Sequence, residues 1–164
     1  MYLRLGPILT NNDVLRYVSY TFGLNIQELS KTFSLADFAV QVEQLSCWLK
    51  KKSDDSYIEI NDKELALFLN GFINFKRGKL DGVEPRTEET VNNNIVFQKL
   101  RIALNLKAED ILEILQLADF RLSKHELSAF FRKPDNKHYR ECKDHVLKAF
   151  LLGLEHTRGG NTEL

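Results

Sequence analysis

The chain has 164 residues, and its 23 basic and 23 acidic side chains balance to a net charge of zero. This length suits one or two small domains. The balanced charge gives no overall field that would attract nucleic acid or an anionic membrane, so any polyanion site must be local. No apolar run approaches the ~18 residues that a membrane-spanning helix needs, and we therefore expect a cytoplasmic protein with no membrane partner.

From Asn11 onward the chain consists of two similar copies of one segment, at a constant offset of 82 positions. Between positions 11 and 71, 18 of the 61 residue pairs are identical, and the stretch Leu35–Phe38 recurs as Leu117–Phe120. A repeat of this length predicts a duplicated domain. It divides the chain into a leader at 1–10, repeat copy one at 11–73, a linker at 74–91, repeat copy two at 92–156 and a flexible tail at 157–164. The leader is too short for a secretory signal peptide.

Each copy is predicted to fold as four short α-helices, because the apolar positions that the copies share recur at helical spacing. The clearest stripe, at i, i+3, i+4 and i+7, is Leu65, Phe68, Leu69 and Phe72. Four pairs of residues fit the capping box that marks a helix start: Thr10 with Asp13, Asn25 with Glu28, Asn61 with Glu64 and Ser123 with Glu126. No comparable period-2 pattern is present, so the predicted fold class is all-α, with two tandem copies of a small four-helix domain.

The acidic residues and glycines that recur in both copies are predicted to have structural roles. The acidic pairs are Asp37 and Asp119, Glu59 and Glu141, and Asp62 and Asp144. All lie at predicted helix ends, which favours capping over general acid–base chemistry. Gly71 and Gly153, late in helix four, are expected to permit close helix contact or to end the helix. No phosphate loop, serine elbow or catalytic triad is recognisable, so neither an enzyme nor a cofactor is predicted.

The two cysteines do not occupy equivalent positions, since Cys47 aligns with Ala129 and Cys142 aligns with Ile60. Both counterparts are apolar, which predicts two reduced, buried thiols. The alternative is a metal site in copy two, formed by His125, His138, Cys142 and His145. Copy one has no such cluster, and no metal site is therefore predicted.

The third helix of copy two is the best functional candidate. Within each copy, helices two and three follow the order of a helix-turn-helix, as in DNA-binding domains. The stretch Arg121–Lys143 holds seven basic residues against three acidic ones. The side chains predicted to contact phosphates or base edges are Lys124, His125, Ser128, Arg132, Lys133, Lys137 and Arg140.

Copy one weakens this hypothesis, because its equivalent stretch Ala39–Asn61 has three basic and four acidic residues. Helices joined by short turns are also ordinary all-α packing, and the turn lacks the glycine that is typical of helix-turn-helix domains. We therefore interpret the chain as a binding protein, with nucleic acid as the leading partner. The alternative is a protein–protein interaction module with an apolar groove between the copies.

Seven stretches of the repeated region carry a resemblance to a known family: Phe68–Gly71, Lys76–Lys79, Asn93–Val96, Lys99–Ala103, Asp110–Leu112, Phe131–Lys137 and Arg140–Cys142. With most of residues 11–155, they resemble the YehS-like family of uncharacterised bacterial proteins, which carry a duplicated domain of unknown function. The resemblance implies the tandem architecture and no assigned activity. Copies in that family begin near the initiator methionine, so the leader is a departure from its pattern.

Overall fold

A computed structural model of the chain describes residues 8–79 and 85–159, which fall into two compact units divided between Val91 and Asn92. Within these residues the helices are α1 Asn11–Thr21, α2 Ile26–Ser34, α3 Val42–Trp48, α4 Asp62–Arg77, α5 Asn93–Ala103, α6 Ala108–Leu117, α7 Lys124–Ala129 and α8 Asp144–Gly159. The described residues contain no strand. The prediction of an all-α fold with two tandem four-helix copies is confirmed.

All four predicted capping residues act as helix N-caps. The side chains of Thr10, Asn25, Asn61 and Ser123 each accept a hydrogen bond from the backbone N–H three residues later, at 2.8 to 3.1 Å. At Thr10, Asn61 and Ser123 the acidic side chain three residues on also accepts a bond from the cap's own N–H. These reciprocal bonds satisfy backbone groups that the helix itself leaves unpaired, and they fix where α1, α4 and α7 begin.

The turns that end the first two helices of each copy are also repeated. The residues that end them have a left-handed backbone, with φ of 62° at Gly23, 53° at Asn105, 57° at Asp37 and 56° at Asp119. After each one, the next N–H bonds to the carbonyl five residues earlier, as in a Schellman motif. Aspartate and asparagine tolerate this conformation better than most residues. The prediction that Asp37 and Asp119 cap N–H groups is therefore wrong, because they terminate α2 and α6 instead.

In each unit the last helix packs against the first and the second: α4 against α1 and α2, and α8 against α5 and α6. The stripe from Leu65 to Phe72 is fully buried. Gly71 lies against the backbone of Thr32, and Gly153 lies against the backbone of Ile114. A Cβ atom on either glycine would clash with the facing carbonyl oxygen, so both glycines permit close helix contact, as predicted.

The helices extend past two predicted segment boundaries. Helix α4 runs to Arg77, so residues 74–77, which were expected in the linker, are helical. Lys76 and Arg77 favour the negative end of the helix dipole, and Gly78, with φ of 80°, follows it. Helix α8 continues to Gly159, past the predicted boundary at 156. The leader up to residue 7 and the tail from residue 160 lie outside the described residues.

Residues 85–91 of the predicted linker are held by copy one. The buried side chain of Asn70 on α4 donates hydrogen bonds to the carbonyls of Pro85 and Arg86, at 3.5 and 3.0 Å. The N–H of Val91 donates to the Asp62 carboxylate at 2.9 Å. Leucine occupies the position of Asn70 in copy two.

None of the described helices is long and apolar enough to cross a membrane.

Gly71→Ala is expected to lower the free energy of unfolding of copy one by about 2 kcal/mol or more, because α2 and α4 must separate to accept the methyl group. Trp48, the single tryptophan, is 1% exposed and lies in copy one, so its fluorescence during denaturation measures this loss. Gly23→Asn is the matched control. It installs the residue found at the equivalent position 105, into open space, and should change stability by less than about 1 kcal/mol. Equal losses for the two variants would contradict the close-contact role.

Candidate nucleic-acid interface in copy two

The segment between α7 and α8, residues 131–143, is here called the copy-two loop, and it is fixed to α5 by one buried side chain. Asn94 is 7% exposed. Its side-chain nitrogen donates to the carbonyls of Phe130 and Arg140, at 3.0 and 2.8 Å, and its oxygen accepts from the N–H of Cys142 at 2.9 Å. One amide thus satisfies three backbone groups that no helix pairs. Both ends of the loop are held to the same helix.

Copy one repeats this arrangement at its equivalent segment, residues 49–61, here called the copy-one loop. Asn12, 3% exposed, donates to the carbonyls of Trp48 and Ile58, both at 2.9 Å, and accepts from the N–H of Ile60 at 3.2 Å. The preceding asparagine of each copy donates to the carbonyl of Ile60 or Cys142 and to the first carboxylate of the last helix. The identical Asn-Asn pairs are therefore the anchors of the two loops.

Each loop also turns on its own backbone in the same way. In copy two, Asn136 donates its N–H to the carbonyl of Lys133, and its side-chain oxygen accepts from the N–H of His138 at 2.8 Å. In copy one, Asp54 makes the equivalent bonds with Lys51 and Ser56. A side chain that bonds the N–H two residues on stabilises a turn locally. The loop backbones are thus set by the fold, and their side chains project from a defined frame.

The structure divides the seven candidate residues between helix and loop. Lys124, His125 and Ser128 lie on α7, where the first two are exposed and Ser128 is half-buried. The other four, Arg132, Lys133, Lys137 and Arg140, lie in the copy-two loop. Helix α7 ends at Ala129, so the copy-two loop carries more of these side chains than the third helix does. The order of helix, turn and helix is present, but α7 has only six residues, and the helix-turn-helix likeness stays a prediction.

Helix α7 ends early because the next carbonyls have other partners. The carbonyl of Ala129 accepts from the N–H of Arg140, and the carbonyl of Phe130 accepts from Asn94. Neither oxygen bonds an N–H four residues on, as an α-helix requires. Pro134 further disfavours a helical conformation at the residue before it. Helical periodicity in the sequence did not reveal these competing bonds.

Two of the five lysines and arginines among the candidate residues are paired with carboxylates. The ammonium of Lys124 lies 2.6 Å from Glu109, and this hydrogen bond lowers the pKa of the Glu109 carboxyl. Arg140 lies 3.7 Å from Glu126, and its guanidinium stands over the ring of Phe130. All four charged side chains are exposed, so these pairs add little to stability. They do reduce the positive potential that these two cations offer to a ligand.

The remaining cations, Arg132, Lys133 and Lys137, have no carboxylate partner among the described residues. Lys133 and Lys137 are exposed, whereas Arg132 is half-buried and its Nε finds no acceptor within the described part of the chain. These three lie within six consecutive positions of the anchored loop. The candidate interface therefore centres on the loop and not on α7.

The metal alternative gains no support from the geometry. Across residues 8–79 and 85–159, no three histidine, cysteine or acidic side chains are grouped so that they could hold a metal ion. His145 packs its ring against Phe120, with 5.8 Å between the ring centroids. Cys142 is buried, as predicted, but Cys47 is only half-buried, which corrects the prediction for that thiol. Cys47 follows Ser46 on the short helix α3, where one face stays open to solvent.

Comparison with known proteins identifies the family. A protein-family model described as protein of unknown function (DUF1456) matches residues 11–78 and 93–160, one match in each unit. The chain belongs to this family. It is 42% identical to the uncharacterized protein YehS of Escherichia coli (strain K12) over 156 residues, which cover 92% of this chain and 99% of YehS. No solved structure matches significantly. The resemblance to the YehS-like family is confirmed.

Asn94→Ala is expected to destabilise copy two by about 2 to 4 kcal/mol, because it leaves the carbonyls of Phe130 and Arg140 and the N–H of Cys142 without their partner. Hydrogen exchange measures the effect directly, and exchange at the amides of Arg140 and Cys142 should accelerate most. Asn136→Ala, which removes one exposed turn bond, is the control and should cost less than about 1 kcal/mol. Unchanged exchange in Asn94→Ala would show that the amide does not anchor the loop.

The two thiols are expected to differ in reactivity. Burial, with a smaller contribution from the nearby Asp144 carboxylate, raises the pKa of the Cys142 thiol to about 12, so almost none of the reactive thiolate forms at neutral pH. Native protein treated with iodoacetamide should therefore be labelled at the half-buried Cys47 and protected at Cys142, while unfolding in urea should expose both. Peptide mass spectrometry measures each site. Equal labelling of the native thiols would contradict the burial of Cys142.

Proposed function

We propose that this protein acts by binding, not by catalysis, and that its copy-two loop contacts the phosphate backbone of nucleic acid in the cytoplasm. The observation that carries the proposal is the group formed by Arg132, Lys133 and Lys137. Within the described residues these cations have no carboxylate partner, and they project from a loop whose backbone is already fixed. A fixed loop loses little conformational entropy on binding, which favours affinity.

The residue types suit phosphate better than a single carboxylate ligand. A guanidinium can donate two parallel hydrogen bonds to one phosphate, while lysine ammonium groups act as point charges along a polyanion. Cations spread over successive loop positions match a ligand with repeating charges. The protein has no net charge, so the attraction must come from this local excess.

The proposed contact positions the nucleic acid more than it reads sequence. Base-specific recognition in the major groove usually requires a helix that presents several side chains to base edges. Helix α7 spans six residues, its first cation is paired with Glu109, and the hydroxyl of Ser128 donates to the carbonyl of His125. We therefore expect weak sequence preference and strong dependence on salt.

Fluorescence anisotropy with labelled duplex DNA, single-stranded DNA and RNA at rising salt tests the proposal. Wild-type protein is expected to bind at low salt, with affinity that falls steeply as salt rises. Arg132→Ala, Lys133→Ala and Lys137→Ala should each reduce the slope of log K against log salt by roughly 0.9 on duplex DNA if each cation contacts one phosphate.

Lys31→Ala is the control, since it removes an exposed lysine of α2 that has no ion pair within the described residues and lies in the other unit. Its slope should match that of the wild type. Absence of binding to all three probes at low salt would refute the proposal. Binding that does not respond to any of the three loop substitutions would place the contact elsewhere.

A protein-interaction module is the second candidate, and one observation favours it. At the copy-one positions equivalent to Lys124 and Arg140, the side chains are Val42 and Ile58, which are 44% and 43% exposed. Exposed apolar side chains of this kind contribute to contacts with protein partners. Binding through them would weaken little with salt, which separates this candidate from phosphate recognition.

A further inference from the structure

The two loops share basic side chains whose charge the fold does not require. Between duplicated copies, exposed positions are free to diverge, because most surface substitutions change stability by less than about 0.5 kcal/mol. Besides Asp54 and Asn136, which share a turn bond, six exposed aligned pairs in the loops have diverged: Lys52 and Pro134, Ser53 and Asp135, Asp55 and Lys137, Ser56 and His138, Ile58 and Arg140, and Asn61 and Lys143. In contrast, the first two positions of each loop's basic stretch carry a basic residue in both copies. They are Lys50 and Lys51 in copy one, and Arg132 and Lys133 in copy two.

Packing does not explain the repeated cations of copy one. Lys50 and Lys51 are both exposed, and neither has an ion pair within the described residues. The hydrogen bond that Lys51 contributes to the turn comes from its backbone carbonyl, which accepts from the N–H of Asp54 at 2.9 Å. Any residue could supply that carbonyl. Lys50 also attracts the Asp54 carboxylate of the turn, but this is the smallest of the causes that lower the pKa of that exposed carboxyl, and such a surface attraction adds little to stability. The charge of Lys51 has no such role within the described residues.

Helix electrostatics gives only a partial account of these lysines. Cations stabilise the C-terminal end of a helix, but the effect fades beyond the last turn. Helix α3 ends at Trp48, so Lys50 and Lys51 lie two and three residues past it. The carbonyl of Cys47 near that end already accepts hydrogen bonds from the N–H groups of Lys50 and Ile58. Because this oxygen is already hydrogen-bonded, a neighbouring cation stabilises it less.

We propose that the copy-one loop is a second phosphate-contacting element, which uses Lys50 and Lys51 at the positions of Arg132 and Lys133. The protein then holds a polyanion through two equivalent loops, one in each unit. This inference rests on the proposed function of the copy-two loop and assigns its partner a second point of contact.

The two contacts are unequal. Residues 50–56 contain three lysines and two aspartates, a net charge of +1, whereas residues 132–138 contain three cations and one aspartate, a net charge of +2 with histidine neutral. Both aspartates of residues 50–56 are ionised at neutral pH, as aspartates ordinarily are. Hydrogen bonds from the hydroxyl and the N–H of Ser56 lower the pKa of the Asp54 carboxyl further. The copy-one loop is therefore expected to attract a polyanion more weakly than the copy-two loop, and loss of its two lysines should reduce the affinity less.

The test compares K50A/K51A with R132A/K133A in the full chain, with a labelled 40-nucleotide duplex as the probe in anisotropy titrations at rising salt. K50A/K51A is expected to reduce the slope of log K against log salt by roughly 1 to 2, since each lost phosphate contact removes ~0.9. K52A is the matched control. It removes the next exposed lysine of the same loop, whose copy-two equivalent is Pro134, and should leave the slope unchanged.

Two further measurements separate binding from a structural role. The charge-preserving variant K50R/K51R should retain the wild-type slope, and Trp48 fluorescence during denaturation should show that K50A/K51A unfolds at the same denaturant concentration as the wild type. If K50A/K51A binds like the wild type while R132A/K133A loses salt dependence, the second contact is refuted and the proposed function stands. If the wild-type chain does not bind at low salt, both are refuted.

Discussion

The candidate interface depends on one interaction, the insertion of a buried asparagine amide between the ends of a loop. Asn12 and Asn94 each bridge two carbonyls and one N–H that no helix pairs. An unpaired buried backbone group costs about 1 to 3 kcal/mol, so three of them would make this loop conformation untenable. The amide both ends the third helix early and directs the chain into the fourth. Everything that the loops present to solvent depends on this arrangement.

Because the asparagine amides fix the backbone of the loops, the side chains that the backbone carries can differ between the copies. Cys142 replaces Ile60 and Phe130 replaces Trp48 between the copies, and all four are buried. The indole N–H of Trp48 finds no acceptor in the described part of the chain, so phenylalanine at that position gives up no hydrogen bond. Gly23 and Asn105 share the same left-handed turn. These exchanges keep volume or backbone geometry, which are the properties that the frame requires.

Periodicity and capping patterns predicted the helices well, because both report on bonds between residues three or four positions apart. The starts at Thr10, Asn61 and Ser123 are of this kind. The interface was predicted less well, since its controlling bonds join residues 36 to 48 positions apart, as between Asn94 and its partners. A usable signal existed in the identical Asn-Asn pairs, because an amide that both copies keep beside the apolar stripe of α1 or α5 indicates a buried polar partner.

Comparison of the two copies separates the residues that hold the loop backbone from those that differ on its surface. Both loops keep the anchoring amide, the Asx turn and a basic pair at its start, while the position of Lys137 is acidic in copy one and that of Arg140 is apolar. A fixed backbone cannot adapt to two different ligands, so any difference in what the loops bind must come from these side chains. Contacts with phosphate position a nucleic acid, and contacts with base edges specify its sequence. In the proposed function the shared basic pair positions the nucleic acid, and the divergent positions around it are where the two copies can differ in specificity.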